Sequence, residues 1–322
     1  GNEALLLFTG SNATAVGSGA ADAATSALNL TAVGQGALSA TIDGGYNTAL
    51  GATALGTGDC GDNNTGIGYA ALYAFTGANA TVVGSHAADA ATSAANLTVV
   101  GTHAAGSVTE GDDQTAVGNN ALASCVTGAQ NTAIGASAAF ALTGNSNVMV
   151  GMNAGYYATT VDHCVAIGRN AFLGASGNTT GDYNIAIGSY ALDKVTTATQ
   201  NVSIGYNTLT NLVTGDYNTA VGHSAGLDVT GDSNVLIGRL AGYDATTISS
   251  CVAIGRDALR GDGTTAVTGN DNIAIGSYTL DAATTAYSNV AIGYNAGTAI
   301  TSANQNVAIG HSALKTEAQG GN

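Results

Sequence analysis

The chain has 322 residues, among them 47 Gly, no Pro and no Trp, with 8% charged residues and 45% hydrophobic residues carried largely by Ala and Val. Six Lys and Arg against 21 Asp and Glu leave a formal charge of -15, which repels nucleic acid phosphates and anionic membrane surfaces and removes both as expected partners. No apolar run is long enough for a membrane-spanning helix, no basic segment followed by an apolar one marks a secretory signal, and both ends read as the middle of a repeat, as expected of a piece of a longer fibre.

One word organises the chain from end to end. Asn131-Thr132-Ala133-Ile134-Gly135 recurs, with Val, Ile or Leu at its fourth place, on Gly17, Gly34, Gly51, Gly68, Gly84, Gly101, Gly118, Gly135, Gly151, Gly168, Gly188, Gly205, Gly222, Gly238, Gly255, Gly276, Gly293 and Gly310. The steps are 16 or 17 residues, apart from 20 between Gly168 and Gly188 and 21 between Gly255 and Gly276. Such a period signals a solenoid rather than two globular domains.

Each unit reads as a strand, a Gly corner, a short second strand and a turn of Gly, Asp or Asn, with a small residue, mostly Ala, three places after the Gly. Seventeen residues are too few for a strand-helix repeat and enough for one coil of a parallel β-solenoid. The expected fold is therefore all-β, about eighteen coils stacked at roughly 4.8 Å with hydrogen bonds running along the axis. Within the word, Thr132 and Ile134 alternate with Asn131 and Ala133. The apolar Ile places the first pair inside, which leaves Ala133 outward against a neighbouring chain.

Two blocks divide the chain. Residues 1–151 carry Thr at the first strand place (Thr14, Thr31, Thr48, Thr65, Thr81, Thr98, Thr115 and Thr132), whereas residues 152–322 carry mostly Val or Ile there. The second block holds insertions near 175–180 and 262–268, at corresponding places of an 87-residue repeat in which Cys164 matches Cys251.

Candidate site residues all sit on repeat positions. His86 and His103, each two after its Gly, are expected to stack about 5 Å apart, one ligand pair where a metal needs three or four. Asp216 and Asp232 share a turn place in successive coils and are the candidates for Ca²⁺, with solvated turn residues as the plainer reading. Cys60, Cys125, Cys164 and Cys251 lie beyond disulfide reach of one another and read as small isolated thiols, or as interchain bonds if copies meet there. The regular Asn of the word reads as an inter-coil amide ladder. Sequons at Asn12, Asn29, Asn63, Asn79, Asn96, Asn178 and Asn201 are glycosylation candidates. The Thr column has the regularity of an ice-binding array, but the Val or Ile on the same side argues that this face is interior. No catalytic constellation and no cofactor motif stands out, so no enzyme activity and no cofactor are expected.

Asn289-Val290-Ala291-Ile292-Gly293-Tyr294-Asn295-Ala296 and Asn218-Thr219-Ala220-Val221-Gly222 resemble the head repeats of YadA-like trimeric autotransporter adhesins, and equally the Asn-Thr-Ala-Val-Gly repeats of phage and viral tail fibres. The resemblance implies a left-handed parallel β-roll, three chains side by side, and exposure on a cell or virion surface. Its implied role is extension, display and attachment, with copies of itself and a host-surface or matrix receptor as partners. The adhesin repeat is shorter than this one, so a larger turn is expected here. A tail-fibre shaft and a solenoid binding Ca²⁺ or ice are the alternative functions.

Overall fold

The computed structural model describes residues 2–175 and 179–315. Eighteen three-residue parallel strands form a β-solenoid of about 17 turns, with no helix among the described residues. The chain divides into two units, Gly1–Thr160 and Val161–Asn322. The first holds β1 Thr14–Val16, β2 Thr31–Val33, β3 Thr48–Leu50, β4 Thr65–Ile67, β5 Thr81–Val83, β6 Thr98–Val100, β7 Thr115–Val117, β8 Thr132–Ile134 and β9 Val148–Val150. The second holds β10 Val165–Ile167, β11 Ile185–Ile187, β12 Val202–Ile204, β13 Thr219–Val221, β14 Val235–Ile237, β15 Val252–Ile254, β16 Ile273–Ile275, β17 Val290–Ile292 and β18 Val307–Ile309.

Within each unit every strand lies on the same word one coil away. β7 and β8 pair Thr115 with Thr132, Ala116 with Ala133 and Val117 with Ile134. β14 and β15 likewise pair Val235 with Val252, Leu236 with Ala253 and Ile237 with Ile254. The register is that of the sequence repeat, because any slip would exchange the two faces of every strand.

The facing is opposite to the one expected. Ala133 is fully buried inside its own chain, Thr132 is half-exposed and Ile134 is 40% exposed. Ala133 therefore offers no seam to a neighbouring chain, and the Thr column lines the outside of the coil. The reason is room. A 16-residue turn encloses Ala133, Ala138, Ala139, Leu142 and Asn147, all at zero exposure, and at interior packing density a narrow coil has space for Ala at the strand centre but not for two β-branched side chains beside it.

A second regular strand is also absent from the described coils; the stretch after each Gly is a chain of turns. Its backbone is nevertheless paired along the axis. Thr53 (φ 54) donates its N–H back to Gln35 O at 2.8 Å, and Leu55 (φ 51) donates forward to Ala71 O at 2.9 Å. Left-handed residues two apart thus aim their N–H groups at opposite neighbours. Each costs about 1 kcal/mol or more of backbone strain, offset by a hydrogen bond that a buried turn would otherwise lack.

The Gly that ends each strand is held for two reasons. Gly118 has φ +134, and a Cβ there would stand 2.5 Å from the carbonyl oxygen of Gly135 on the next coil. The interior amides form the expected ladder. Asn201 Nδ2 donates to Asn184 Oδ1 at 3.1 Å, Asn218 Nδ2 to Asn201 Oδ1 at 3.1 Å and Asn234 Nδ2 to Asn218 Oδ1 at 2.9 Å, all buried. Cys164 and Cys251 take the ladder's place in their own coils: Asn184 N–H points at Cys164 Sγ and Cys251 N–H at Asn234 Oδ1.

Candidate binding faces

The strands raise two outward columns on each unit. In the first, the Thr column from Thr14 to Thr132 runs beside Val16, Val33, Leu50, Ile67, Val83, Val100, Val117 and Ile134, all exposed or half-exposed. None of these sixteen side chains is charged. In the second unit the same two columns are Val and Ile on every rung except β13, where Thr219 stands beside Val221, and exposure reaches 66% and 65% at Val307 and Ile309. Such a continuous apolar stripe is larger than the isolated exposed side chains normal on a soluble surface.

Beyond the Gly corner of the second unit, one side-chain stack occurs twice. The Arg169 guanidinium lies 4.8 Å from the Tyr190 ring centroid, Tyr190 is 6.1 Å from Tyr206, and Tyr206 is 5.3 Å from His223. Five coils on, Arg256, Tyr278, Tyr294 and His311 repeat it at 4.6, 6.0 and 5.3 Å. Here Asp257, buried, faces Arg239 at 3.5 Å and Arg256 and Arg260 at 3.7 Å. All six Lys and Arg of the chain lie in this unit, at or after Arg169.

His86 and His103 stack with centroids 5.1 Å apart, as their spacing requires, and Tyr69 meets His86 edge-on at 5.0 Å. No group of three His, Cys, Asp or Glu placed to hold a metal ion occurs among the described residues. Asp216 Oδ1 accepts from Thr199 N–H at 2.7 Å, and Asp232 Oδ1 from Asp216 N–H at 2.9 Å. The same turn place repeats this in Ala95 to Asp112 and Asp162 to Asp182, each carboxylate holding a backbone N–H of the preceding coil. Recurring Asp here has a backbone partner to satisfy. In the 262–268 insertion, Asp262 Oδ1 accepts from Thr265 N–H, Thr264 N–H and the Thr264 hydroxyl, which lowers its pKa.

Of the sequons, Asn12, Asn29, Asn63, Asn79 and Asn96 form an outer column of left-handed residues, with Asn12 Nδ2 donating to Asn29 Oδ1 at 3.0 Å. Asn178 lies outside the described residues. Asn201 is corrected by the fold: its amide is buried in the interior ladder and out of reach of a glycosyl donor. The four cysteines are buried thiols within the coil, which removes them as outward-facing partners for a second chain. Burial pushes their thiols up to about 11 for Cys60, Cys125 and Cys251 and about 12 for Cys164.

A further Thr column escapes a reading based on the strand word. Thr25, Thr76, Thr92, Thr109 and Thr143 each donate the side-chain hydroxyl to a backbone carbonyl one coil on, at 3.0 to 3.3 Å. The signal was present as Thr followed by Thr, Ser or Gly in most coils. Comparison of the chain with family models, curated proteins and solved structures found no match.

Proposed function

We propose that the chain is a structural element of an extracellular self-assembling fibre, an adhesin-like head or shaft that extends, displays and attaches. The observation that carries this reading is the Val and Ile stripe of the second unit. Two apolar side chains on eight of nine successive rungs, and Val221 beside Thr219 on the other, amount to an area of the order of the ~800 Å² per partner that a stable interface covers. The occupant is a second copy of the same chain, because only a stripe with the same rung spacing meets these side chains in step along its whole length. Acidic residues stand in the turns, off this stripe, and keep copies from associating elsewhere.

On this reading three copies pack side by side as left-handed rolls, in keeping with the resemblance of the repeat word to trimeric adhesin heads. The seam runs along the outward Val and Ile, not along Ala133. A host-surface or matrix receptor meets the faces left free, and a tail-fibre shaft on a virion is the same architecture in another setting.

Light scattering of the full chain tests it. A trimer mass is expected at micromolar concentration, and the double variant Ile204→Lys, Ile237→Lys is expected to fall to monomer with an unchanged circular dichroism spectrum. A monomer mass for the unaltered chain at every concentration overturns the proposal.

A further inference from the structure

We propose that the outward Thr-x-Val face of the first unit binds crystalline ice. The ligand is a lattice of water, and the face is built as a lattice. Eight rungs in register repeat Thr at roughly 4.8 Å along the axis, with the Val, Leu or Ile column two residues away at roughly 6.7 Å along the strand. Both spacings are set by backbone pairing and by strand rise, so they do not depend on side-chain accident. The rung spacing is close to the oxygen repeat on a face of hexagonal ice.

The hydroxyls are the second observation, independent of the spacing. Among the described residues, none of the eight Thr hydroxyls from Thr14 to Thr132 has a protein partner. The Thr column at Thr76, Thr92 and Thr109 spends its hydroxyls on backbone carbonyls. One Thr column is therefore structural and the other is free to take positions in a water lattice.

The Thr methyls and the Val, Leu and Ile side chains between them order water without binding it strongly, while no charged side chain stands in either column to impose its own hydration shell. β-Branched side chains have one or two staggered χ1 wells, so the face loses little freedom when water freezes onto it. The second unit lacks the free hydroxyls: on the same scaffold its first column is Val or Ile, except at Thr219.

The inference does not rest on the fibre reading and is tested separately, on the full chain. Ice shaping, thermal hysteresis and partition of fluorescently labelled protein into a growing ice hemisphere are measured on the unaltered chain and on three variants. Thr81→Lys with Thr98→Lys, at the centre of the face, is expected to lose hysteresis and partition while keeping its melting temperature. Thr81→Val with Thr98→Val, which cannot disturb folding through size or charge, is expected to lose part of both. Thr197→Lys, exposed on a turn of the other unit and off both strand columns, is expected to keep them. Absence of ice shaping and partition by the unaltered chain at millimolar concentration overturns the proposal. So does loss of activity in Thr197→Lys with retention in the Thr81 and Thr98 variants. A change in oligomer mass in the Thr81 and Thr98 variants with ice affinity intact identifies the face as a seam and overturns it as well.

Discussion

The strand faces of the two units differ chiefly at one column, Thr on eight rungs of the first and Val or Ile on eight rungs of the second. Thr81 and Val235 occupy the same place in their coils, each flanked by an outward Val or Ile and each standing beside a buried residue, Val82 and Leu236. Replacing Thr by Val or Ile on most rungs changes a face that can hold ordered water into one whose exposed area favours being covered. The interior, by contrast, scarcely responds to which side chain points out. A solenoid thus separates stability, set by the inward columns, from recognition, set by the outward ones, and each can vary alone.

The inward columns set the largest expected effects. Gly118→Ala in the first unit and Gly222→Ala in the second each force a Cβ to 2.5 Å from the next coil's carbonyl oxygen at φ +134 and +139. Each should cost more than ~4 kcal/mol, among the largest single-residue effects, and urea unfolding of the purified variants checks it. Equal losses in both units are expected; a mild effect in either one would mean that its coils separate easily.

The ladder occurs in both units, with Asn147 Nδ2 donating to Asn131 Oδ1 at 3.1 Å in the first, but its rungs differ in strength. Asn218 Oδ1 accepts from Asn234 N–H and Nδ2, and its own Nδ2 donates to Asn201 Oδ1 and to the carbonyl oxygens of Asp216 and Gly231. Asn64 is followed by Ala80, so no side-chain amide meets it from the next coil; its Oδ1 accepts only from Ala80 N–H, and its Nδ2 donates to the carbonyl oxygens of Gly61 and Gly77. Each orphaned buried group costs ~1–3 kcal/mol, so Asn218→Ala should destabilise by ~3 kcal/mol and Asn64→Ala by about half of that, read by chemical denaturation.

The buried thiols give a pH dependence in both units, and the two that sit in the amide ladder belong to the second. The neutral thiol is favoured in the fold, with Cys164 raised from 9.0 to about 12 and Cys251 from 9.0 to about 11. Their contribution is whole below pH 9, where both folded and unfolded chains hold the proton, and is lost as pH rises from 9 towards the folded values. Cys251→Asn removes its own share of this loss and supplies an amide to Asn234, for a gain of ~1 kcal/mol. Denaturant midpoints at pH 8 and 10.5 should lie closer together in that variant than in the unaltered chain, with the remaining gap carried by Cys60, Cys125 and Cys164.

The smallest effect is at the surface itself. Thr81→Val makes one rung of the first unit resemble the second, and because the side chain is exposed the change should lie within ~0.5 kcal/mol. A larger shift in the melting curve would show that the Thr hydroxyl has a structural partner and would weaken the separation of inward and outward roles.

Much of this was legible in the residues. The repeat of Gly, the in-register pairing, the stacking of His86 on His103 and the amide ladder all follow from period alone, since stacked coils place like on like. The facing was not legible from hydrophobicity, because Ile134 is more apolar than Ala133 and the usual rule sends it inward. The correcting signal lay one residue away. Asn131 alternates in phase with Ala133, and an amide ladder gains most in a dry interior, where an unpaired amide is costly. The repeated stack of Arg, Tyr, Tyr and His was hidden because its members come from two different places in the word, Tyr206 directly after its Gly and Tyr190 two after.

The sequence by itself determined that this is a coil repeated along an axis, where each coil begins, and which residues meet their copies, because a fixed period leaves one register in which Gly lies on Gly and Asn on Asn. Only the tertiary structure decided which side of the strand is inside. That choice depends on the width of the closed coil, which no single strand contains: a turn of 17 residues leaves room for Ala and Asn at its wall and puts Thr, Val and Ile outside, where they form the faces on which any function must act.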